Sequence, residues 1–241
     1  DMSDILLRAE HSLTRSRYSN WIGGKSPIID NNPVVSLMGF SHPLLIWEHK
    51  KKEAPKPVSI DFHITRNTKV VAITGPNTGG KTVALKGLGI ALLMARSGLF
   101  IPSIKNPIIP FCPNIFVDIG DDQSLEGNLS TFSGHILRIK NILESLENKI
   151  GLSVVLLDEI GSGTDPSEGT ALAISLLKEF ATLSDITLAT THYGDIKALK
   201  YTDDRFENVS VAFDEESFRP KYTLNWGIPG RSNALSISKR I

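Results

Sequence analysis

Gly75 to Thr82 reads GPNTGGKT and fits the pattern G-x-x-x-x-G-K-[ST] at every fixed position. It follows the β-branched run Lys69–Thr74 (KVVAIT) and precedes the long apolar stretch Lys81–Ser97, so the spacing predicts strand, turn and helix. Glycines in such a turn let backbone N–H groups point inward at phosphate oxygens, and the helix N-terminus adds roughly half a positive charge. Gly75, Pro76, Asn77, Thr78, Gly79, Gly80, Lys81, Thr82 and Val83 are therefore the expected nucleotide cradle. Within it, Lys81 is expected to reach the β- and γ-phosphates and Thr82 to offer its hydroxyl to Mg²⁺. A glycine-rich turn that binds nothing is the alternative, and a full match in this context disfavours it.

A second element ends in acids. Val154–Leu157 is an apolar strand followed directly by Asp158 and Glu159. Two carboxylates closing a buried strand are costly unless a metal or a proton occupies them. Beside a phosphate loop, Asp158 is expected to hold Mg²⁺ and Glu159 to orient and deprotonate the attacking water. A third run, Ile186–Ala189, leads to Thr190, Thr191 and His192. A histidine at the carboxyl end of a core strand faces the ligand side of a parallel sheet, where it can reach the γ-phosphate or the water. A structural histidine bonded to a nearby carbonyl is the alternative. His11, His42, His49, His63 and His135 make no metal-ligand spacing with one another or with Cys112, so no zinc site is expected.

These residues need a scaffold, and the chain supplies one. Its 241 residues suffice for one large or two small domains, and 41% hydrophobic with 22% charged residues excludes a disordered or fibrous chain. The 26 basic residues balance the 26 acidic ones, which leaves no bulk charge to grip nucleic acid or membrane. The lone cysteine excludes an internal disulfide and points to a reducing compartment. No stretch approaches the roughly 18 apolar residues of a membrane span; Val83–Ile101 is interrupted by Lys86 and Arg96. The first residue is Asp1, and a processed or partial chain is expected.

Ser3-Asp4 is a plausible cap for an amphipathic helix with Ile5, Leu6, Ala9 and Leu13 at helical spacing, ending near Tyr18. Trp21–Asn32 is expected as a connection and Glu48–Pro57 as an exposed loop, a solvated turn in preference to a DNA contact. Ile115–Val117 predicts a short strand. Gly134–Asn148 predicts a helix with Ile136, Ile139, Ile142, Leu143 and Leu146 on one stripe, and Ser167–Leu183 predicts another. Asn208–Phe213 and Lys221–Trp226 alternate like an antiparallel pair, and Ser232 onward reads as the start of a last helix. Continuous apolar strands alternating with helices predict an α/β fold with a parallel sheet covered on both faces.

With GPNTGGKT, Asp121–His135 (DDQSLEGNLSTFSGH), Leu156–Gly169 (LLDEIGSGTDPSEG) and Ala189–Tyr193 (ATTHY) in view, the chain resembles the ATPase domain of the MutS family. Thr82 after the glycine-lysine step, NLSTFSGH, GTDPSEG and Gly227–Ala234 (GIPGRSNA) resemble the second, anti-recombination branch of bacteria and plant organelles. The likeness runs from about Pro33 to the end. It implies two regions: 1–32 as the end of a lever helix with its connection, and 33–241 as an ABC-type P-loop ATPase domain with a mixed, largely parallel central sheet flanked by helices.

The resemblance also implies an ATP-dependent homodimer in which each ATP lies between one subunit's phosphate loop and the other's signature segment. Ser130 matches the signature serine that faces the partner's γ-phosphate, though it also reads as an N-cap for the helix expected from Gly134. Asn77 matches a phosphate-loop asparagine, Ser162–Asp165 the loop that crosses the dimer interface, and His192 the switch histidine. Gln123 resembles the metal- or water-sensing glutamine of ABC ATPases. Two departures stand out: no aromatic in Glu53–Pro57 matches the adenine-stacking residue, and Ser41 precedes His42-Pro43 where a basic residue is common.

The expected function is Mg²⁺-dependent ATP hydrolysis that controls dimer closure and binding of branched or mismatched DNA, in DNA repair and suppression of recombination. DNA would be held through domains largely absent here, inside a bacterial cytoplasm or a plant organelle such as the chloroplast, with no membrane partner. A nucleotide-gated module acting on the ribosome or RNA with little turnover is the alternative, and Glu159 argues against a pure switch. An ATP-dependent transporter would need an LSGGQ-like signature where this chain has NLSTFSGH, and no third acid or histidine cluster supports a nuclease.

Overall fold

The computed structural model describes residues 1–76, 80–120, 131–213 and 220–228. In chain order come α1 (Met2–Ile22), β1 (Gly24–Lys25), β2 (Ile28–Asp30), β3 (Val35–Phe40), α2 (Pro43–Lys50) and β4 (Ile60–Ile64). Next are β5 (Val70–Thr74), α3 (Lys81–Arg96), β6 (Ile101–Pro102), β7 (Ile108–Pro110), β8 (Asn114–Asp118) and α4 (Thr131–Glu147). Then follow β9 (Ser153–Leu157), α5 (Pro166–Leu183), β10 (Ile186–Thr190), a 3₁₀ stretch Gly194–Tyr201, β11 (Phe206–Phe213) and β12 (Pro220–Trp226). The chain forms two compact units, residues 1–64 with 87–111, and 65–86 with 112–241.

The second unit is built on a six-stranded sheet in the order β12-β11-β5-β10-β9-β8. β11, β5, β10, β9 and β8 run parallel, and β12 returns antiparallel against β11. Every residue of β5, β9 and β10 is buried, which is why these strands read as unbroken apolar runs instead of alternating. Val70 and Ala72 of β5 and Val155 and Leu157 of β9 enter one core cluster with Ile139, Ile142 and Leu146 of α4 and Leu177 and Phe180 of α5. The stripe read from sequence on α4 is thus the face that covers the sheet, and truncating a wholly buried member such as Leu177 to Ala would cost about 2–5 kcal/mol. α4 begins at Thr131, ahead of the expected Gly134.

The first unit holds a four-stranded sheet, β2-β7-β3-β4, and a small β1-β6 pair. β3 and β4 pair antiparallel, with Phe40 and Phe62 packed edge to face at 6.5 Å. The register shifts between Leu37 and Phe40, where Gly39 takes φ 65° and donates its N–H to Asp61 Oδ1 at 2.6 Å. Three local expectations change in this unit. α1 is capped by Asp1 instead of Ser3-Asp4 and runs to Ile22, where the left-handed Gly23 ends it, so the expected connection contains helix and two short strands. Ile5, Leu6 and Leu13 are exposed, so the helical spacing does not mark a buried face. The charged segment read as a loop from Glu48 begins inside α2, whose first turn is fixed by Pro43 and by His42 Nδ1 accepting the Leu44 N–H at 3.3 Å.

Candidate active site

Because β5, β8, β9 and β10 are parallel, their carboxyl ends lie along one edge of the sheet, and the expected chemistry gathers there. β5 ends at Thr74 and passes into Gly75 and Pro76; α3 opens at Lys81, followed by Thr82 and Val83 in its first turn. Gly80 has φ 92°, and a Cβ there would fall 2.5 Å from the Tyr222 ring of β12, so this position admits only glycine. Asn77, Thr78 and Gly79 of the loop, with Gln123 and Ser130, lie outside the described residues, as does the segment from Ser232.

Lys81 is 2% exposed, and its ammonium donates to the Gly75 carbonyl at 2.7 Å. Burial pushes its pKa down, against the opposing charges of Glu159 and Asp158. Thr82 Oγ1 donates to Asp158 Oδ2 at 2.7 Å, joining the phosphate loop to the end of β9. The neighbouring strands hold this acid from both sides. Its N–H donates to the Asp118 carbonyl at 2.8 Å, and its Oδ1 accepts the hydroxyl of Thr190, the last residue of β10.

Glu159 leaves the strand with φ 50°, a left-handed backbone that a side chain seldom adopts. Its N–H donates to Thr190 Oγ1 at 2.8 Å, and the next N–H, of Ile160, donates to the Thr190 carbonyl at 3.1 Å. The carboxylate then lies 3.1 Å from His192 Nε2, with both side chains partly open to solvent. A cavity of about 190 Å³ is lined by Thr82, Gly120, His135, Asp158, Glu159 and Ser162. The arrangement offers an ammonium and a helix N-terminus for phosphates, hydroxyl and carboxylate oxygens for a hard cation, and a carboxylate–imidazole pair for a water's proton.

The loop after the acids is pinned from behind. Gly161 has φ 81°, and a Cβ on it would lie 2.4 Å from the Gly169 carbonyl, while Tyr193 Oη donates to the Gly161 carbonyl at 2.7 Å. Ser162 donates its N–H to the Glu159 carbonyl at 3.0 Å. Asp165 caps α5 by accepting the N–H groups of Ser167 and Glu168, and the Ser167 hydrogen bonds hold its carboxyl below the usual carboxylate range.

Four side chains with no role assigned from sequence join the site. Asp118, closing β8, is 3% exposed and accepts from His135 Nδ1 at 2.8 Å and Arg138 Nε at 2.6 Å, both on α4. Thr190 is fully buried between the two acids. Asp118 carries the signal that marked Asp158, an apolar run ending in an acid; Thr190 carries none beyond its place beside His192.

The chain matches the family model described as MutS domain V over residues 71–240. It is 50% identical to the "Endonuclease MutS2" of Synechocystis sp. across 98% of this chain and 31% of that protein. It is 46% identical to the Halothermothrix orenii protein of the same name, across 100% of this chain and 30% of that one. For the Clostridium perfringens protein of that name the identity is 43%, across 99% and 29%. The chain thus spans under a third of the length of the curated relatives it matches. A largely parallel sheet flanked by helices, with a phosphate loop leading into α3 and an acid pair closing β9, is the ABC-type P-loop ATPase architecture of that domain. The chain belongs to the MutS family: it carries domain V, the family's ATPase domain, in the form of the MutS2 branch.

Proposed function

We propose that the chain hydrolyses ATP with Mg²⁺ and uses nucleotide state to open and close a homodimer. The observation that carries this reading is the 2.7 Å hydrogen bond from Thr82 to Asp158, which sets two hard oxygen donors side by side at the mouth of the phosphate loop. That donor set fits Mg²⁺, which favours carboxylate, hydroxyl and phosphate oxygens and would supply charge neutralisation on the transferring phosphoryl group. Lys81 and the α3 N-terminus bind the phosphates. Glu159 takes the proton of a water whose oxygen bonds to the γ-phosphorus as the bond to ADP breaks, and His192 holds that carboxylate in place.

The composite site extends this reading. Ser130 and Asn77 are proposed to flank the γ-phosphate from the two subunits, and the Ser162–Asp165 loop is proposed to cross the dimer interface. Residues 1–32 would be the end of a lever helix and 33–241 the ATPase domain. In the whole protein, closure would control binding of branched or mismatched DNA, in repair and in suppression of recombination. The balanced charge supports a grip made mainly by other domains. The relatives named above are bacterial, which supports a bacterial cytoplasm as the setting.

The test is sedimentation of Glu159→Gln with and without Mg·ATP, alongside native turnover as a function of protein concentration. A monomer that dimerises with Mg·ATP, and specific activity that rises with concentration, are expected. Turnover by a monomer, independent of concentration, would remove the partner role of Ser130 while keeping the ATPase.

A further inference from the structure

We infer that Thr190 is a positioning residue for both acids of the site, its hydroxyl setting the rotamer of Asp158 and, together with its carbonyl, the backbone conformation of Glu159. The inference rests on the roles proposed above for those acids. A threonine hydroxyl has one proton to give and lone pairs to receive. At Thr190 the proton goes to Asp158 Oδ1, and a lone pair takes the Glu159 N–H at 2.8 Å. The assignment has no alternative direction, because a carboxylate accepts and a backbone N–H donates. The Thr190 carbonyl takes the Ile160 N–H at 3.1 Å, so consecutive N–H groups of the turn are held by one residue of the neighbouring strand.

This matters because Glu159 has φ 50°. Such a conformation costs of order 1–3 kcal/mol in a side-chain-bearing residue and persists where its surroundings dictate it. Two hydrogen bonds to Thr190 on either side of the Glu159 Cα dictate it here, and the result points the carboxylate at His192. On the other acid, Thr82 takes Oδ2 and Thr190 takes Oδ1, so the Asp158 carboxylate plane has no freedom to turn. Thr190 itself is fully buried and held in register with Ile73 of β5, which makes it a rigid support.

The experiment compares Thr190→Val, which keeps the shape and removes the hydroxyl, with Thr190→Ser, which keeps the hydroxyl. Two readouts are taken on the chain: Mg²⁺-dependent gain in affinity for a fluorescent ATP analogue, and hydrogen exchange at the Glu159 amide. With Val, the Mg²⁺-dependent gain should fall about tenfold and the amide should exchange at least about tenfold faster, while Ser stays near native in both. Should Thr190→Val not fold, Thr190→Cys takes its place, its weak thiol giving intermediate losses. Val or Cys variants with native Mg²⁺ dependence and native amide protection would overturn the inference, as would a Ser variant as impaired as Val. A native chain whose affinity ignores Mg²⁺ would instead overturn the reading of Asp158, with the amide comparison still deciding the role of Thr190 toward Glu159.

Discussion

Glu159 Oε1 and His192 Nε2 lie 3.1 Å apart although 33 residues separate them in the chain. They meet because β9 and β10 are adjacent and parallel, with Leu157 opposite Ala189, so both side chains emerge at the same edge. A carboxylate so placed can take a proton from water, and an imidazole so placed can hold it in one orientation.

Removing the proposed base and removing its proposed support should therefore differ. Glu159→Gln is expected to bind Mg·ATP about as well as the native chain and to lose roughly 10²–10⁴-fold in turnover. His192→Ala should lose less, about 10–100-fold, because the base remains and only its orientation is released. Single-turnover rates beside nucleotide affinity separate the two effects, and native turnover in Glu159→Gln would remove the base from its assigned role.

Lys81 makes a different prediction, on stability. Burial holds its pKa below the ordinary 10.5. Below the folded value both states carry the proton, and folding bears the whole cost of burying the cation. As pH rises through the folded value the folded chain releases its proton while the unfolded chain keeps it until about 10.5, so stability rises across that window. Lys81→Met should abolish nucleotide binding and flatten that rise. Urea unfolding of both chains between neutral pH and about pH 10.5 measures the difference in slope.

The extent to which this site was legible follows from distance along the chain. GPNTGGKT and the Leu-Leu-Asp-Glu step are contiguous, and each is flanked by the apolar run that places it, so sequence located Lys81, Thr82, Asp158 and Glu159. Thr190 and Asp118 act through sheet register: Thr190 reaches the acids across 31 and 32 residues, and Asp118 reaches His135 across 17. Nothing local distinguishes Thr190, and Asp118 closes its apolar run without the second acid that follows Asp158. The first unit was obscured for another reason. Gly39 interrupts the apolar pattern of β3 where the register shifts, and the basic run after Trp47 disguises the last turn of α2, from Glu48, as part of a loop. The exposed apolar residues of α1 show the converse error, since helical spacing reports a face and not what covers it.

Asp118 ties α4 to the acid strand. Its carboxylate holds His135 and Arg138 of α4, and its carbonyl holds the Asp158 N–H. Asp118→Ala removes the carboxylate that holds Arg138 and His135 and should cost about 2–4 kcal/mol, near the lower end for a buried pair because Arg138 is about a third exposed. Asp118→Asn keeps acceptors on one atom and should cost roughly half as much. Denaturant unfolding gives the totals. Amide exchange along the first turns of α4 should rise in Asp118→Ala above the level of the rest of that helix, and an unchanged pattern would dissociate Asp118 from α4.

The opposite edge of the sheet supplies the control for all of these. Ser153 opens β9 and Asp185 immediately precedes β10; Asp185 Oδ2 accepts from Lys149 Nζ at 2.6 Å and from the Ser153 N–H at 2.9 Å. Burial alone would raise the Asp185 pKa, but the hydrogen bonds from Lys149 and Ser153, with the Lys149 charge, outweigh it and hold the carboxyl below 3.8. The stabilisation is therefore fully present above about pH 3.8 and is lost as pH falls through the lower, folded value, because protonation then removes the acceptor. Asp185→Asn should cost about 1–3 kcal/mol at neutral pH, with the gap from native closing in strong acid. Five residues of extended strand place this cluster roughly 15 Å from the phosphate loop, so ATP turnover per folded molecule should stay within about twofold of native. A larger loss of turnover at full folding would show that strain at the amino ends of β9 and β10 reaches Asp158, Glu159 and Thr190 through the strands themselves.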